Sequence, residues 1–366
     1  MTPVVARDTL APMPDGLKRV LAAAAVIALA ACADDPPTDD AGDGTDTLAA
    51  EPAGVVALRD VALRIAPEDG AASVTVAGGG TRLARVGDTL PSGPEGERWL
   101  QLATWDDRRG WVPAGDVLEA DLWSHYQTAL GGTGPTALRV AYPIEGRWAV
   151  EAPPYSAGIT PISTLWLLGD SARAVKVTAI DTVADCGGRR HRVAVLAEDA
   201  GGSGPNLERA ALAFPASRPP TARRVAITPV PAPEPDLAAA IARGVGRLLG
   251  SSPATLQTWL YSIGAETRWV ALRWPGTGDS VKGAAAALIL ERSGDRWSAV
   301  VAVPPTVSSA GPNRAALVPL AAFATMEGRP TLLLVSVLDY ESARVDILLA
   351  DAEGYRILRS GYVWGC

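Results

Sequence analysis

The sequence predicts a mainly β protein in which a small barrel is followed by a larger antiparallel β-rich (α+β) domain with a helical insert. Three observations support this fold class. Short β-type runs broken by Gly and Pro fill residues 54–118, and further strand-like runs recur from Thr164 to Leu358. Among the latter runs, one long amphipathic helix pattern covers residues 236–249. This helix is the predicted insert.

The predicted organisation has five parts. They are a signal peptide, an acidic disordered tether, a small barrel, a helical connector and a β-rich domain, at residues 1–31, 32–53, 54–118, 119–136 and 137–366. A proline-rich stretch at residues 229–235 is a candidate boundary within the last part. The chain that follows residue 31 is long enough for two or more hydrophobic cores.

The N-terminus carries an export signal. Lys18 and Arg19 precede an apolar run from Val20 to Ala31, which is shorter than the roughly 20 residues that span a bilayer, and Leu-Ala-Ala-Cys closes it at Cys32. This pattern resembles the lipobox of bacterial lipoproteins. The resemblance implies cleavage before Cys32 and lipidation of that cysteine, which would anchor the chain to a membrane. The alternative is an ordinary secretory signal with Cys32 unmodified.

The composition argues against nucleic acid as a partner. The net charge is −7, and it becomes −8 without residues 1–31, because that segment has three basic and two acidic residues. Polyphosphate binding requires clustered basic side chains. Lysine, however, occurs only at positions 18, 176 and 282, and arginine is scattered among carboxylates. These features hold whether translation starts at Met1 or Met13.

Two cysteines remain if Cys32 is lipidated. Cys186 and Cys366 would then form an even pair in an oxidising compartment, so a disulfide between them is the simplest expectation. Such a bond would close a loop of about 180 residues and stabilise the fold by about 4 to 5 kcal/mol in the chain-entropy model.

Residues 33–53 have the composition of a flexible tether. They contain seven acidic residues and no basic residue, so the segment is predicted to stay disordered and to hold the first domain away from the bilayer. Ala33 and Asp34 after the cysteine resemble the outer-membrane pattern of Gram-negative lipoproteins. This resemblance implies an envelope protein, on the periplasmic face of the outer membrane if the cell is Gram-negative.

Five strand-like runs define the predicted small barrel: Val61–Ile65, Ser73–Val76, Thr81–Val86, Arg98–Thr104 and Gly110–Pro113. This region resembles bacterial SH3-like (SH3b) domains in three places. The opening of such domains is similar to VALRIAPEDGAASV, the hairpin that follows is similar to GGGTRLARVG, and the closing signature is similar to ERWLQLATWDDRRGWVPAGDV. The resemblance covers about 65 residues. It implies an SH3-like barrel that binds peptidoglycan or a protein partner.

Three tryptophans of this region are candidate contact residues: Trp99, Trp105 and Trp111. An indole offers a large apolar face with one donor, which suits peptides or sugar rings. We expect Trp99 to pack in the core and Trp105, beside a turn, to be exposed. The adjacent Asp106 and Asp107 are interpreted as turn formers rather than as an acid and base pair.

The rest of the chain shows a connector, strands and the helical insert. Residues 118–130 predict a helix that ends at Gly131, and its lone His125 is interpreted as a surface or packing residue. Asp236 is the predicted cap of the long helix, which Gly250 ends, and a second helix is predicted from Ala254 to Ser262. The predicted strands are 164–168, 174–180, 192–196, 269–272, 286–290, 297–303, 331–337, 345–349 and 355–358.

Residues 287–301 and 346–360 form a weak internal echo. Each segment reads as a strand, a Gly turn, an aromatic residue and a strand. The pair resembles the hairpins of repeated β-blade proteins. Because two echoes do not define a propeller, an ordinary antiparallel hairpin sheet is the alternative interpretation.

The search for an enzyme site predicts no catalytic residue, metal or cofactor. Asp185-Cys186-Gly187-Gly188 resembles the D-C-S-G motif of cysteine peptidases that cut peptidoglycan, but it leads into a predicted strand and His191 is the only later histidine. Gly169-Asp170-Ser171 resembles the first block of GDS-type esterases, although no Asp-x-x-His follows. Two distant histidines offer no zinc shell, and no nucleotide-binding motif is present.

These patterns favour a lipid-anchored, non-catalytic envelope protein whose SH3-like domain binds peptidoglycan or a protein partner. Two alternatives stay open. One is a cell-wall hydrolase, similar to a cysteine peptidase, with a degenerate site around Cys186. The other is a purely structural envelope lipoprotein, which would have no ligand.

Overall fold

The fold is mainly β and is built from antiparallel sheets, as the sequence predicts. The computed structural model describes residues 54–87, 90–91, 98–152, 159–160, 163–185, 187–200, 209–250, 255–275, 283–308, 316–326, 329–338, 342–351, 354–358 and 364–365. The chain divides into two units, Met1–Ala49 and Ala50–Cys366, and every described residue belongs to the second. The predicted signal peptide, Cys32 and the tether lie outside the described residues.

The first sheet consists of eight short strands: β1 (Gly54–Ala57), β2 (Val61–Arg64), β3 (Ser73–Ala77), β4 (Arg82–Arg85), β5 (Leu90–Pro91), β6 (Arg98–Ala103), β7 (Arg109–Pro113) and β8 (Val117–Glu119). Their spatial order is β3-β2-β7-β6-β4-β1-β8, and β5 pairs with β6. The five strands predicted from the sequence coincide with β2, β3, β4, β6 and β7. The SH3-like identity of this region stays a prediction.

One face of the first sheet forms a hydrophobic core of its own. Leu63, Leu102 and Val112 are fully buried there, and they come from β2, β6 and β7. Because side chains alternate along a strand, the residues between them point to the opposite face. Gly110 allows β2 and β7 to approach closely, since a Cβ atom at this position would lie 2.7 Å from the Cβ of Leu63.

A helix and a closed barrel follow. Helix α1 (Ala120–Ala129) ends at Gly131 and Gly132, which have φ angles of 72° and 95°. The barrel contains β9 (Arg139–Ile144), β10 (Arg147–Glu151), β11 (Thr164–Leu168), β12 (Ala172–Ala184), β13 (Arg190–Asp199) and β14 (Ala211–Phe214), in the closed order β10-β13-β12-β11-β14-β9.

Side chains alternate along the barrel strands, so each strand can contribute to two hydrophobic cores. In β14, Ala211 and Ala213 face the barrel interior, whereas Leu212 and Phe214 pack outside against α1 and the C-terminal sheet. All four side chains are at least 99% buried. On this side, the barrel therefore has both a packed interior and a buried outer surface.

Two further sheets complete the fold. The third has the order β16 (Ile227–Val230), β17 (Gln257–Ile263), β18 (Thr267–Pro275), β19 (Gly283–Ser293) and β20 (Arg296–Ser308). The fourth has the order β15 (Arg223–Val225), β21 (Ala316–Met326), β22 (Arg329–Leu338), β23 (Ser342–Ala350) and β24 (Tyr355–Leu358), and β25 (Trp364–Gly365) pairs with β23. The two segments of the internal echo form the β19–β20 and β23–β24 hairpins, one in each sheet.

The third and fourth sheets pack face to face. Trp269 and Ile289 of the third sheet share a core with Leu333 and Leu348 of the fourth. Helix α2 (Pro235–Leu249) covers the other face of the third sheet. The other face of the fourth sheet packs against α1 and the outside of the barrel. The layers therefore follow the order helix, sheet, sheet, barrel.

Two details of the predicted helices are wrong. The segment predicted as a second helix from Ala254 to Ser262 contains β17, because Trp259 and Tyr261 pack on one face of the third sheet while Leu260 packs on the other. Asp236 does not cap α2: the helix begins at Pro235, Glu234 precedes it, and no side chain makes a capping hydrogen bond. Proline at the first helical position already lacks the N–H that a cap would satisfy.

Candidate interaction site

A hydrogen-bonded turn joins β6 to β7 and carries Trp105. The amide of Asp107 donates to the carbonyl of Thr104 over 3.0 Å, and the amide of Thr104 donates to the carbonyl of Arg108 over 3.1 Å. Asp107 has a φ angle of 59°, a left-handed conformation that aspartate tolerates better than most residues. The backbone that presents Trp105 is therefore held by the hairpin itself.

Side chains of the turn brace it further. The hydroxyl of Thr104 donates to Oδ1 of Asp106 over 2.5 Å and accepts from the amide of Arg108 over 3.2 Å. Asp106 pairs with Arg108 at 2.8 Å, and Asp107 pairs with Arg109 at 2.9 Å. The hydrogen bond from Thr104, aided by Arg108, lowers the pKa of Asp106, and Asp107 raises the pKa of Arg109. Each carboxylate thus has its own arginine, consistent with a role in the turn.

Trp105 is 94% exposed, the most exposed large apolar side chain among the described residues. Within that part of the chain, its ring has no aromatic or cationic neighbour. An indole without packing neighbours contributes almost no buried apolar surface to the stability of the fold. The expectation that Trp105 is exposed is therefore confirmed, and its ring is accessible to a ligand.

The other two candidate tryptophans differ from Trp105. Trp99 is only 2% exposed and lies opposite Leu90 and Pro113, which confirms the expectation that it packs in the core and removes it from the candidate contact residues. Trp111 is half-buried on β7, opposite Arg64 of β2. The structure therefore places Trp105 and Trp111 on one hairpin, with Trp105 as its accessible tip.

Exposed apolar side chains concentrate on the first sheet. Ile65, Val74 and Val76 are 66%, 40% and 63% exposed, and with Trp105 they account for four of the five large apolar side chains exposed in the described residues, the fifth being Leu338. Ile65 follows the Arg64–Trp111 pair, so it lies towards the end of the sheet where the Trp105 turn is found. Clusters of this kind mark interaction surfaces. The sequence predicts these strands but not their exposed face.

A second candidate site surrounds Asp185. Its carboxylate accepts hydrogen bonds from the amide of Arg189 at 2.8 Å and from Nε of Arg189 at 2.9 Å, and it lies 3.3 Å from Nε2 of His191. The ring of His191 lies 4.5 Å from the ring of Trp364. The strand predicted after this motif is confirmed, because β13 begins at Arg190. Cys186 and Cys366 lie outside the described residues.

The other histidine has a packing role. Nε2 of His125, on α1, lies 2.8 Å from the hydroxyl of Thr325 on β21, and that hydroxyl lies 2.7 Å from the hydroxyl of Thr331 on β22. Within the described ranges, no group of three or more His, Cys, Asp or Glu residues is placed to hold a metal ion. None of the helices described there is long and apolar enough to cross a membrane.

Comparison with protein-family models, with curated proteins and with solved structures gives no significant match to this chain. The functional proposal therefore rests on the residues of the chain itself. Two sites carry it: the Trp105 turn and the Asp185 cluster.

Proposed function

We propose that the protein is a lipid-anchored, non-catalytic component of the bacterial cell envelope whose first sheet binds peptidoglycan through Trp105. The observation that carries this proposal is a 94% exposed indole on a turn braced by hydrogen bonds. Because the turn backbone is already ordered, little backbone entropy is lost when the indole binds, which favours affinity.

The groups around the indole suit a polymer of sugars and peptides. Its flat face can stack on a ring, and the same turn carries the ion pairs of Asp106 with Arg108 and of Asp107 with Arg109. An apolar anchor surrounded by polar groups is a common arrangement in binding sites. Arg108 and Arg109 can also donate hydrogen bonds to carboxylates of a stem peptide.

The proposed anchor is the lipid on Cys32. The described fold begins at Gly54, so 21 residues separate the anchor from β1. A flexible chain of that length has an average end-to-end distance of about 25 Å. If these residues form the tether that the sequence predicts, its reach would let the first sheet contact a polymer layer near the membrane.

Co-sedimentation with isolated peptidoglycan sacculi tests the proposal. The protein is residues 33–366, which lack the lipidated cysteine but keep every described element. The whole chain is needed because Val56, Leu58 and Leu118 of the first sheet region belong to a core shared with α1, the barrel and the fourth sheet. We expect this protein to pellet with sacculi, and Trp105→Ala to weaken binding about tenfold, the loss typical of an anchoring aromatic.

Two variants serve as controls. Trp105→Tyr keeps a flat aromatic ring and should keep most of the binding, whereas Leu338→Ala removes an exposed apolar side chain of the fourth sheet and should bind normally. All variants should unfold at the wild-type temperature, because neither Trp105 nor Leu338 is buried in the core. Absence of pelleting by the wild-type protein would exclude peptidoglycan and favour a protein partner or a structural role. Equal pelleting by Trp105→Ala would exclude the turn as the site.

A hydrolase centred on Cys186 is the second candidate function. The observation that favours it is the 3.3 Å contact between Asp185 and His191, beside Cys186 in the sequence. The primary proposal instead predicts a disulfide between Cys186 and Cys366. Asp185 precedes Cys186, Trp364 lies two residues before Cys366, and both Asp185 and Trp364 contact His191. Thiol titration of unreduced residues 33–366 in denaturant separates the two: no free thiol is expected, and a free, alkylatable Cys186 would support the hydrolase.

A further inference from the structure

Strand β3 forms one edge of the first sheet. It pairs with β2 through Ala77 opposite Val61, Val76 opposite Ala62 and Thr75 opposite Leu63, and β2 is its only neighbour in the sheet order of the described residues. The amide and carbonyl groups on the other side of an edge strand are available for pairing with another chain. This edge is therefore a potential strand-pairing surface.

The composition of β3 is unusual for an edge. Its sequence is Ser-Val-Thr-Val-Ala, and the flanking residues 71–72 and 78–80 are alanine and glycine, so residues 71–80 contain no charge and no proline. Edge strands of monomeric proteins normally carry a charge, a proline or a bulge that blocks pairing. The bulge present here lies at Ser73 and Val74, opposite Arg64, and leaves Thr75, Val76 and Ala77 in regular register with β2.

The exposed side chains of β3 are branched and apolar. Val74 and Val76 are 40% and 63% exposed. Val76 lies opposite Ala62 on β2, and Val74 lies at the bulge. β-branched side chains are those that stabilise cross-strand pairs best.

We propose that a second copy of this chain pairs antiparallel with β3, with a two-fold axis through Thr75. The strand is nearly palindromic about this residue. In this register, Val74 of one copy lies opposite Val76 of the other, Ser73 lies opposite Ala77, and the two Thr75 residues face each other.

Self-complementarity is the reason for choosing a second copy as the occupant. A two-fold interface uses the same patch on both subunits, so a symmetric strand satisfies it without further matching. No like charges oppose each other, because the strand has none. The inference does not depend on the proposed ligand, since Trp105 is not part of β3.

Cysteine cross-linking across the axis tests this register directly. Residues 33–366 carrying Thr75→Cys place the two new thiols opposite each other, with Cβ atoms about 5 Å apart. Ser73→Cys is the matched control: it lies on the same strand, but its two copies are four residues apart, about 13 Å. Both variants keep the native cysteines. After mild oxidation with diamide, we expect a disulfide-linked dimer for Thr75→Cys and a monomer for Ser73→Cys.

Sedimentation velocity of uncross-linked protein gives the second measurement. The wild-type protein should self-associate with increasing concentration, and Val76→Lys should raise the dissociation constant at least about tenfold because the lysines would lie within the apolar interface. Leu338→Lys, on the fourth sheet, should self-associate as the wild type does. A wild-type protein that stays monomeric at about 100 μM would overturn the proposal, as would equal cross-linking of the two cysteine variants.

Discussion

Asp185 shows how one carboxylate stays ionised in a closed environment. Its side chain is 1% exposed, and burial alone would raise its pKa. The hydrogen bonds from the backbone of Arg189, from His191 and from the Arg189 side chain outweigh burial and lower the pKa to about 2. An unfolded aspartate has a pKa of about 3.9. Ionised Asp185 therefore stabilises the fold above about pH 4, and this contribution is lost as the pH falls through about 2.

Asp185→Asn should lower the free energy of unfolding at pH 7, because the neutral amide cannot replace a carboxylate between Arg189 and His191. The difference from the wild type should shrink as the pH falls from 4 towards 2, where the wild-type carboxylate is itself protonated. Denaturant unfolding at a series of pH values measures this. Asp181→Asn, at an exposed position on β12 four residues before Asp185, is the control and should show little effect at any pH. A pH-independent difference for Asp185→Asn would contradict the assignment.

The sequence predicts the different exposure of two neighbouring tryptophans. Trp99 and Trp105 stand six residues apart, and one is buried while the other is almost fully exposed. The turn residues Asp106 and Asp107 indicate that Trp105 lies beside a loop, and this interpretation is confirmed. The burial expected for Trp99 is also confirmed, and its cross-strand partners are Leu90 on β5 and Pro113 on β7.

At the scale of the element, helix α2 makes its close contact with the third sheet at Gly244. A Cβ atom at Gly244 would lie 2.8 Å from the Cβ of Ala299 and 2.9 Å from Cδ1 of Leu288, so the helix lies very close to the third sheet. Gly246, two residues later on the same helix, has open space at the corresponding position. The two glycines therefore have different roles, although both lower the intrinsic helix propensity.

Gly244→Ala and Gly246→Ala should have opposite effects on stability. The first forces the helix away from Ala299, and overpacking of this kind costs about 1 to 3 kcal/mol, which exceeds the gain in helix propensity of up to about 1 kcal/mol. The second gains only the propensity and should stabilise the protein by about 0.5 to 1 kcal/mol. Denaturant unfolding of the two variants measures both. Equal effects would mean that α2 does not pack on the sheet through Gly244.

Strand β21 is an element that local sequence patterns do not predict. It runs from Ala316 to Met326 through Pro319, and a proline usually argues against a strand inside a sheet. The structure tolerates it because the register with β22 shifts between Pro319 and Ala321, so the proline lies at an irregularity of the ladder. This irregularity depends on the partner strand and is not encoded locally.

At the scale of the whole molecule, α1 connects the first sheet to the fourth. Tyr126 is fully buried, and its hydroxyl lies 2.8 Å from the carbonyl oxygens of both Thr331 on β22 and Ala350 on β23. Burial raises the pKa of this hydroxyl, so it stays neutral and available as a donor. Because α1 follows directly from β8, this contact links the N-terminal sheet to the C-terminal one.

Tyr126→Phe should destabilise the protein by about 1 to 3 kcal/mol, because two buried carbonyl groups lose the same donor. Tyr261→Phe is the matched control, since Tyr261 is partly buried on β17 and its hydroxyl has no hydrogen-bond partner among the described residues. Its effect should stay within about 0.5 kcal/mol. Chemical unfolding of both variants provides the comparison. A similar loss in both would show that the hydroxyl of Tyr126 does not tie the sheets together.

The sequence by itself determined the mainly β class, the helix that ends at Gly250 and most strands of the described part of the chain. These features depend on alternation, helical periodicity and turn residues within a few positions, so local patterns encode them. Only the tertiary structure decided that residues 257–263 form a strand, that the barrel closes, and that Asp185, His191 and Trp364 meet. The physical reason is that burial and strand pairing depend on residues distant in the sequence, and these contacts can override local preference.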